Sequence, residues 1–309
     1  RKNVKTWTRD TQRKALKAMQ DYIKDKENGL LTGKEIAFAD WAEEWIEQHQ
    51  HNISPTTYEG YKYTLRHLID FFGRKKLADI KTKDVERFLI QLKENGFSDS
   101  VQSKCKGMLF QIYNKAMAND LVSKNPVAYS DKLKRGPVKE KEPFTLEDIQ
   151  HLLESLPEDK MGWTIRLMLG TGMRPGEMMA LEPRFIAEDG SSIEIRQALK
   201  RIKGSVAIGP PKSPKSIRKI LVPENVQYCA RLLRDTDKRF IWESPKNPGY
   251  PCNPSYFTAQ YKKTLSSVEG MRILPPHNCR HTYVTLMMSS NTDVKTIQSF
   301  AGHTNVRTT

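Results

Sequence analysis

Apolar and polar residues alternate at helical spacing through the first third of the chain. Phe38, Trp41, Ala42, Trp45 and Ile46 recur at i, i+3, i+4, i+7 and i+8, which predicts a helix with one buried face. The same spacing predicts three further helices, whose start and stop signals are Ser54-Pro55 with Gly73, Thr82 with Gly96, and residue 99 with residue 119. Helices with such short connections indicate a helical bundle, which we assign to residues 35–124.

The pattern changes at residue 125 and again at residue 143. Residues 125–142 contain two prolines, a glycine and a run of charges without apolar periodicity, so we interpret them as an interdomain linker. Thr145 followed by Asp148 is typical of a capped helix start, and helical periodicity then dominates. Alternating patterns near 192–199 and 205–222, around a Lys203-Gly204 turn, predict a small antiparallel sheet. The predicted fold class is therefore mainly α with a small antiparallel β-sheet, with an α+β domain over residues 143–309.

The composition of the chain indicates which kind of partner it binds. The chain has 309 residues with 51 Lys and Arg against 36 Asp and Glu, which gives a net charge of +15. This excess favours a polyanionic partner such as nucleic acid, although a merely basic protein is the plain alternative. The densest patch has no acidic residue between Glu194 and Glu224, and it consists of Arg196, Lys200, Arg201, Lys203, Lys212, Lys215, Arg218 and Lys219. So basic a hairpin indicates contact with a polyanion, whereas a solvated hairpin without function is the alternative.

Other classes of protein fit the sequence less well. No apolar run approaches about 20 residues, so nothing predicts a membrane span, and the first residues do not resemble a signal peptide. The four cysteines form no CxxC pair and lack zinc-ligand spacing, so we interpret them as reduced thiols of a cytoplasmic protein. Residues 1–34 are basic and helical in character, and we interpret them as a connector that follows an earlier module.

Four separated segments hold side chains that suit phosphate chemistry. They are Thr171-Gly-Met-Arg174-Pro-Gly-Glu177, the basic loop from Pro211 to Arg218 with Lys212, His277-Asn-Cys-Arg280, and Ala301-Gly302-His303. On a helix, His277 and Arg280 would project from the same face and could bind one anion together. Each segment alone is a weak signal, because an arginine at a helix end more often forms a salt bridge and a histidine there is more often a cap.

In this order and spacing, the four segments resemble the motifs of the tyrosine recombinase (phage integrase) family. The wider segments TGMRPGEMMAL, RHTYVTLM and FAGHTNVRTT are similar to integrases of conjugative transposons and phages of Gram-positive bacteria. The resemblance implies a core-binding domain at 35–124 and a catalytic domain at 143–309, closing around a duplex as a clamp. It also implies site-specific recombination, the integration or excision of a mobile element, by strand cleavage and rejoining through a 3′-phosphotyrosyl intermediate.

The resemblance further implies a role for each motif residue. Arg174 and Arg280 would hold the nonbridging phosphate oxygens with their planar donor forks. Lys212 would act as the general acid on the leaving 5′-oxygen. His277 would be an acid/base partner of the nucleophile, and His303 would donate a hydrogen bond to the phosphate.

Partners and cofactors follow from the same resemblance. Glu177 would hold the reacting groups in place, or would be an ordinary helix-start carboxylate. We expect no metal, cofactor or ATP, because cationic side chains supply the charge and the covalent intermediate conserves the bond energy. The expected partner is double-stranded DNA at a recombination core site, bound by a homotetramer on paired sites, with an accessory directionality factor and no membrane. The expected location is the bacterial cytoplasm, at the nucleoid.

Residues expected to contact DNA outside the reaction centre lie in both domains. The helix start at Ser54, Thr56 and Thr57 can offer backbone N–H groups to a phosphate. Lys104 and Lys106 lie on a helix that could enter a DNA groove. On the hairpin side, the expected contacts are Arg201, Lys203, Lys215 and Arg218.

The sequence departs from the family pattern at the nucleophile. In the family, the attacking tyrosine follows the GHxxxxTT pattern by roughly four residues, and here the printed chain ends at Thr308-Thr309. Tyr283 lies within the predicted helix that carries His277 and Arg280, so it cannot take that part. We therefore expect these 309 residues to bind their DNA site without cleaving it, and to lack the segment that docks onto a neighbouring protomer in relatives.

Three alternatives stay open at this point. A catalytically inactive or regulatory DNA-binding protein would keep the basic residues, but it has no need of the full motif set. A type IB topoisomerase shares the chemistry, and the long helical bundle favours recombination over it. A basic helical scaffold without a nucleic-acid partner is the third alternative, and failure to bind any duplex at moderate salt would support it.

Overall fold

The computed structural model describes residues 13–14, 16–17, 19–20, 36–131, 136, 142–202, 205–210, 217–290, 292–293 and 295–297. The chain divides into two compact units, Arg1–Val138 and Lys139–Thr309. Each unit has a core of its own, because the buried apolar residues form two large clusters that share no member. Each unit thus supplies its own hydrophobic stabilisation.

In residues 36–131, four helices build the first unit. They are α1 (Phe38–His49), α2 (Pro55–Phe72), α3 (Thr82–Glu94) and α4 (Asp99–Ala118), with 3-10 turns at Gln50–Asn52 and Leu77–Asp79. The five apolar residues that predicted α1 are all buried. Trp41 Nε1 donates to the Ile112 carbonyl oxygen at 3.2 Å, and Tyr113 Oη donates to the Leu77 carbonyl oxygen at 3.0 Å. These bonds satisfy the polar ends of core side chains and tie α4 to the rest of the bundle.

The helix starts follow the predicted capping signals except at α3. Ser54 Oγ accepts the Thr57 N–H at 3.2 Å, so α2 begins where the Ser-Pro pair predicted. The N-cap of α3 is Lys81 and not Thr82. The carboxylate of Asp84 accepts the Lys81 N–H at 2.9 Å, which makes a threonine cap unnecessary at this end.

The chain after α4 stays packed against the first unit. Val127 is buried in the core, and Asn125 Nδ2 donates to the Phe110 carbonyl oxygen at 3.0 Å. The Thr82 hydroxyl donates to the Pro126 carbonyl oxygen at 3.0 Å. The linker predicted from residue 125 therefore starts too early, because one apolar side chain and a few polar bonds can bury a short segment that has no periodicity.

The helices that the structure describes in the second unit surround a central apolar helix. They are α5 (Leu146–Ser155), α6 (Lys160–Thr171), α7 (Pro175–Met179), α8 (Glu224–Arg234), α9 (Pro254–Ser266) and α10 (His277–Ser289), with a 3-10 turn at Pro183–Phe185. Thr145 and Asp148 form the predicted capping box of α5, with bonds of 3.1 and 2.9 Å. The central helix is α6, which is buried along most of its length and packs against α8 and α10.

The described strands form two-stranded antiparallel sheets. They are β1 (Ser192–Ile195), β2 (Ala198–Ile202), β3 (Ser205–Gly209), β4 (Arg218–Leu221), β5 (Glu243–Ser244) and β6 (Asn247–Pro251). β2 pairs with β3 as a hairpin, and β1 pairs with β4 so that Ile195 lies opposite Arg218. The β5–β6 pair was not predicted, because its second strand reads NPGYP and shows no alternation. The predicted fold class, mainly α with a small antiparallel β-sheet, is confirmed, and the described strands divide between separate two-stranded sheets.

The start of the second unit is bonded to α10. The Phe144 N–H donates to Thr282 Oγ1 at 3.0 Å, across 138 positions of sequence. Asn278 Nδ2 donates to the Glu142 carbonyl oxygen at 3.1 Å, across 136 positions. The first described residues of the unit are therefore bonded to the helix that carries the third motif.

The four cysteines are buried and free. Burial raises the pKa of Cys105 and Cys252 to about 11 and that of Cys279 to about 12, so these thiols stay protonated at neutral pH. Among the described helices, none is long and apolar enough to cross a membrane.

Candidate active site

A left-handed glycine turn places the first motif of the site. α6 ends at Gly172, whose φ of +63° lies in the region that glycine adopts without strain. The turn leads directly to Arg174, which is the N-cap residue of the short helix α7. Arg280 Nη1, from α10, donates to the Gly172 carbonyl oxygen at 3.0 Å. The turn therefore brings the two motif arginines to one place.

Gly172→Ala is expected to lower the free energy of unfolding by about 2–5 kcal/mol, measured by urea denaturation. Left-handed backbone alone costs a non-glycine residue about 1–2 kcal/mol. An added Cβ would also overlap the ring of Tyr283. Gly96→Ala is the matched control, because Gly96 has φ +74° and a Cβ there meets no described atom within 4 Å. Equal losses in the two variants would show that the tyrosine ring moves aside without cost.

Glu177 is the buried acid of the site. Its side chain is 1% exposed, and its carboxylate accepts one backbone N–H and three guanidinium N–H groups. Arg174 donates through its backbone N at 2.8 Å and through Nη1 at 2.7 Å, while Arg218 donates through Nη1 and Nη2, both at 3.0 Å. Burial opposes the charged form, but the hydrogen bonds and charge of Arg218, and then of Arg174, hold the pKa of Glu177 below its usual range. Glu177 is therefore ionised and fixes two arginines.

Arg280 is the buried cation of the site. The residue is 2% exposed, and its Nη2 has no hydrogen-bond partner among the residues that the structure describes. Burial, reinforced by the charge of Arg174, lowers the pKa of Arg280 to about 9. A buried cationic donor with an open position is costly in the protein alone, and a bound anion would satisfy it.

The four charged side chains together suit an oxyanion. Arg174, Arg218 and Arg280 against Glu177 leave a net charge of +2 (3 − 1) in the described part of the site. The Arg174 side chain is 32% exposed, so solvent and ligand can reach the site. Charge builds on the nonbridging oxygens of a phosphodiester as it is attacked, and two preorganised guanidinium groups stabilise that charge. No cluster of three or more His, Cys, Asp or Glu side chains placed to hold a metal occurs among the described residues.

His277 lies beside this site on α10. It is the first residue of the helix and is exposed, and its ring packs edge-on against the ring of His281 with 4.8 Å between centroids. Arg280 follows one turn later and is buried. The helix thus presents an imidazole at its exposed start and a guanidinium in the interior.

Two of the residues predicted to contact DNA, Arg218 and Lys106, are bonded to other groups of the protein. The Arg218 side chain is 7% exposed and binds Glu177 with both terminal nitrogens, so it does not lie on the hairpin surface. Lys106 Nζ donates to the carbonyl oxygens of Ser130 at 3.1 Å and Asp131 at 2.6 Å. Both cations are held by acceptors that are distant in sequence, which the local pattern of basic residues does not reveal.

The other predicted contacts have different positions. Lys104 is exposed on α4, and Ser54 and Thr56 are exposed at the start of α2. The Thr57 N–H donates to Ser54 Oγ at 3.2 Å, so that amide already has an acceptor in the protein without DNA. The predictions that lie outside the described residues are Lys203, Lys212, Lys215 and His303, together with the side chain of Arg201, whose backbone is part of β2.

The pairing of Arg218 with Glu177 is the feature that motif reasoning missed. A local signal for it exists in β4, where Arg218 and Ile220 are two positions apart and therefore share one face of the strand. Ile220 is buried, so an arginine in phase with it must find a buried acceptor. The sequence does not show which carboxylate that is.

The fold and the site define a helical enzyme domain directed at phosphate, preceded by a helical bundle. Residues 37–92 match the model of the phage integrase N-terminal SAM-like domain, and residues 143–309 match the model of the phage integrase family. The chain belongs to the phage integrase family, the tyrosine recombinases, which are enzymes that break and rejoin DNA.

Individual relatives agree with this assignment. The chain is 23% identical to the ICEBs1 integrase of Bacillus subtilis strain 168 over 304 residues, covering 92% of this chain and 80% of the relative. It is 23% identical to a tyrosine recombinase XerC-like protein of Caldanaerobacter subterraneus subsp. tengcongensis over 334 residues, covering 97% and 84%. The Tn1549 transposon integrase in complex with transposon right end DNA has a TM-score of 0.77 and 22% identity, over 88% of this chain and 93% of that chain. A λ integrase dimer bound to a COC′ core site has a TM-score of 0.66 and 15% identity, over 89% and 97%. These two solved structures share the fold of this chain.

Proposed function

We propose that this protein performs site-specific DNA recombination, integrating and excising a mobile element through a 3′-phosphotyrosyl intermediate. The observation that carries the proposal is the open Nη2 of the buried Arg280, next to Arg174, in a site of net positive charge. Family membership supplies the reaction class, the breaking and rejoining of DNA. The similarity to an ICEBs1 integrase and a Tn1549 transposon integrase supports a mobile element as the substrate.

In this proposal the scissile phosphate lies between Arg174 and Arg280. As the attacking oxygen approaches, negative charge builds on the nonbridging oxygens, and the two guanidinium groups stabilise it more strongly than they stabilise the ground state. The Gly172 turn and Glu177 hold both arginines before DNA binds, so little reorganisation is needed during the reaction. Glu177 takes no part in proton transfer, because its bonds keep it ionised.

The proton transfers are proposed for the other motif residues. Lys212 would protonate the leaving 5′-oxygen, which needs a proton because an alkoxide is a poor leaving group. His277, exposed at the start of α10, would assist the tyrosine nucleophile, and His303 would donate to the phosphate. The covalent phosphotyrosyl bond would then conserve the energy of the broken bond for rejoining.

The proposed DNA partner is a double-stranded recombination core site. The DNA complexes of the Tn1549 integrase and of λ integrase support this choice. Residues 35–124 would act as the core-binding domain, with the exposed Lys104 as a phosphate contact, and residues 143–309 would act as the catalytic domain. Exchange between two duplexes requires four strand cleavages, so a homotetramer would be the active assembly, with an accessory factor setting direction at the bacterial nucleoid.

A nicked suicide duplex tests the proposed function. The full-length gene product is incubated with a duplex that carries an end of its own element, so that the short strand beyond the nick diffuses away after cleavage. We expect a denaturant-resistant adduct on the 3′ end of the cleaved strand, because the proposed chemistry leaves a 3′-phosphotyrosyl bond. A duplex of scrambled sequence is the matched control and should give no adduct.

Two outcomes would contradict the proposed function. Absence of an adduct under conditions of saturated DNA binding would indicate a binding protein without recombinase activity. Equal cleavage of the scrambled duplex, together with relaxation of any supercoiled plasmid, would indicate a topoisomerase instead.

A further inference from the structure

Arg218 is the more deeply buried of the two arginines that bind Glu177. Its side chain is 7% exposed, against 32% for Arg174. Nη1 lies 3.0 Å from one carboxylate oxygen of Glu177 and Nη2 lies 3.0 Å from the other, so the pair is bidentate. Arg174 binds the same carboxylate through Nη1 at 2.7 Å. One acid is therefore shared between an arginine closed off from solvent and an arginine that a ligand can reach.

We propose that Arg218 is a positioning residue of the recombination reaction, which holds Glu177 and through it sets the position and the available charge of Arg174. The inference rests on the proposed function, because it gives Arg174 a phosphate to bind. It assigns Arg218 no direct contact with DNA, since both terminal nitrogens point to Glu177 inside the protein.

The charge balance of the site explains why a second arginine is needed. With Arg218 in place, Glu177 is compensated from the buried side, and the described site keeps a net charge of +2. Without Arg218 the net charge falls to +1 (2 − 1), and Arg174 becomes the remaining cation bonded to the carboxylate. The carboxylate would then lose the bidentate bond that fixes its position, so Arg174 would be held less precisely and less positive charge would stabilise the transition state.

Removing Arg218 also changes the protonation of Glu177. The charged groups around this carboxylate are Arg174 from α7, Arg218 from β4, and Arg280 from α10, with the Tyr283 hydroxyl of α10 nearby. Arg218 is the strongest influence that lowers the pKa of Glu177 against burial, so its loss raises that pKa. A protonated Glu177 cannot hold Arg174 as an ion pair. Cleavage by an Arg218→Gln variant should therefore fall as the pH is lowered, more steeply than cleavage by the wild type.

The test compares Arg218→Gln and Arg218→Lys with the wild type in the full-length gene product. Single-turnover adduct formation on the suicide duplex and the Kd for the same duplex are measured between about pH 5.5 and 8. For Arg218→Gln we expect cleavage to be slower by about 10- to 100-fold, as is typical when a supporting partner of a reacting group is lost. The Kd should stay within about threefold of the wild type. Arg218→Lys should recover part of the rate, because lysine restores the charge but not the bidentate fork.

Arg166→Gln is the matched control for loss of a buried arginine. Arg166 is also buried; it donates to the carbonyl oxygens of Leu153, Leu156 and Pro157 and pairs with Glu158, and none of these four residues belongs to the site. We expect it to lower the Tm without changing the cleavage rate of the folded protein or its pH dependence. The inference is overturned if Arg218→Gln cleaves at the wild-type rate, or if its Kd rises as much as its rate falls. An absent adduct in the wild type would instead reject the proposed function, so the two failures are distinguishable.

Discussion

Arg280→Met is expected to slow DNA cleavage by about 10²- to 10³-fold while the protein without DNA stays as stable as the wild type or becomes more stable. The rate falls because the buried Nη2 of Arg280, which has no partner among the described residues, would donate a hydrogen bond to a nonbridging phosphate oxygen in the transition state. The stability is maintained because the wild type contains a buried cation, whose pKa burial and Arg174 lower to about 9. For a base with a lowered folded-state pKa, this cost is present in full below pH 9 and disappears as the pH rises toward the unfolded value of 12.5. At neutral pH, methionine removes the free-energy cost of burying the charge. Loss of the hydrogen bond to the Gly172 carbonyl oxygen offsets this gain in stability by about 1–3 kcal/mol.

The measurement for Arg280→Met combines adduct formation on the suicide duplex with thermal unfolding in the absence of DNA. Arg166→Met is the control, because this arginine is equally buried but its guanidinium is already hydrogen-bonded to backbone carbonyls. It should lower the Tm and leave cleavage by the folded protein unchanged. A drop in Tm for Arg280→Met as large as that for Arg166→Met would show that the Arg280 charge is well compensated in the unliganded protein.

Glu177→Gln is expected to lower the free energy of unfolding by about 3–5 kcal/mol at neutral pH, because it leaves two guanidinium groups without their buried counter-charge. It should also reduce cleavage, since Arg174 loses the group that holds its side chain. The pKa of Glu177 is lowered from 4.5 in the folded state. Its stabilisation is therefore complete above pH 4.5 and is lost as the pH falls through the folded-state pKa. The difference in stability between wild type and variant should shrink in that acidic range.

Urea denaturation at neutral and acidic pH measures this difference, and the suicide duplex measures cleavage. Glu182→Gln is the control, because Glu182 is buried and pairs with Arg184 away from the two motif arginines. We expect the control to lose stability without losing cleavage by the folded protein. If both variants lost cleavage to the same extent, the effect of Glu177 would be one of general stability and not of the site.

The sequence predicted the fold well where apolar periodicity determines it. The face of Phe38, Trp41, Trp45 and Ile46 is buried as predicted, because a helix in a small bundle has one way to hide such a stripe. Prediction failed where burial depends on few residues. The core residue Val127 and a few polar bonds hold a segment whose sequence predicts a linker. The second strand of the β5–β6 pair contains two prolines and shows no alternation of apolar and polar residues.

For the site, the motif spacing identified Arg174, Glu177 and Arg280, and the structure brings these three together. The sequence does not show which acceptor each basic side chain binds. The basic pattern predicts DNA contacts for Arg218 and Lys106, because basic residues usually face water. In the structure each side chain binds an acceptor that is distant in the chain. Pairing between segments depends on the tertiary fold, which a one-dimensional pattern does not contain.

The bonds of Phe144 with Thr282 and of Glu142 with Asn278 have a consequence for biosynthesis. Contacts so far apart in sequence form late, because a long loop must close before they can be made. At a synthesis rate of about 5–20 residues per second, α10 leaves the ribosome roughly 5–20 s after the segment of Arg174. The first unit can form its bundle during that interval. A nascent chain can therefore fold its bundle before it has a complete phosphate site, and any strand-breaking chemistry has to wait until α10 has been synthesised.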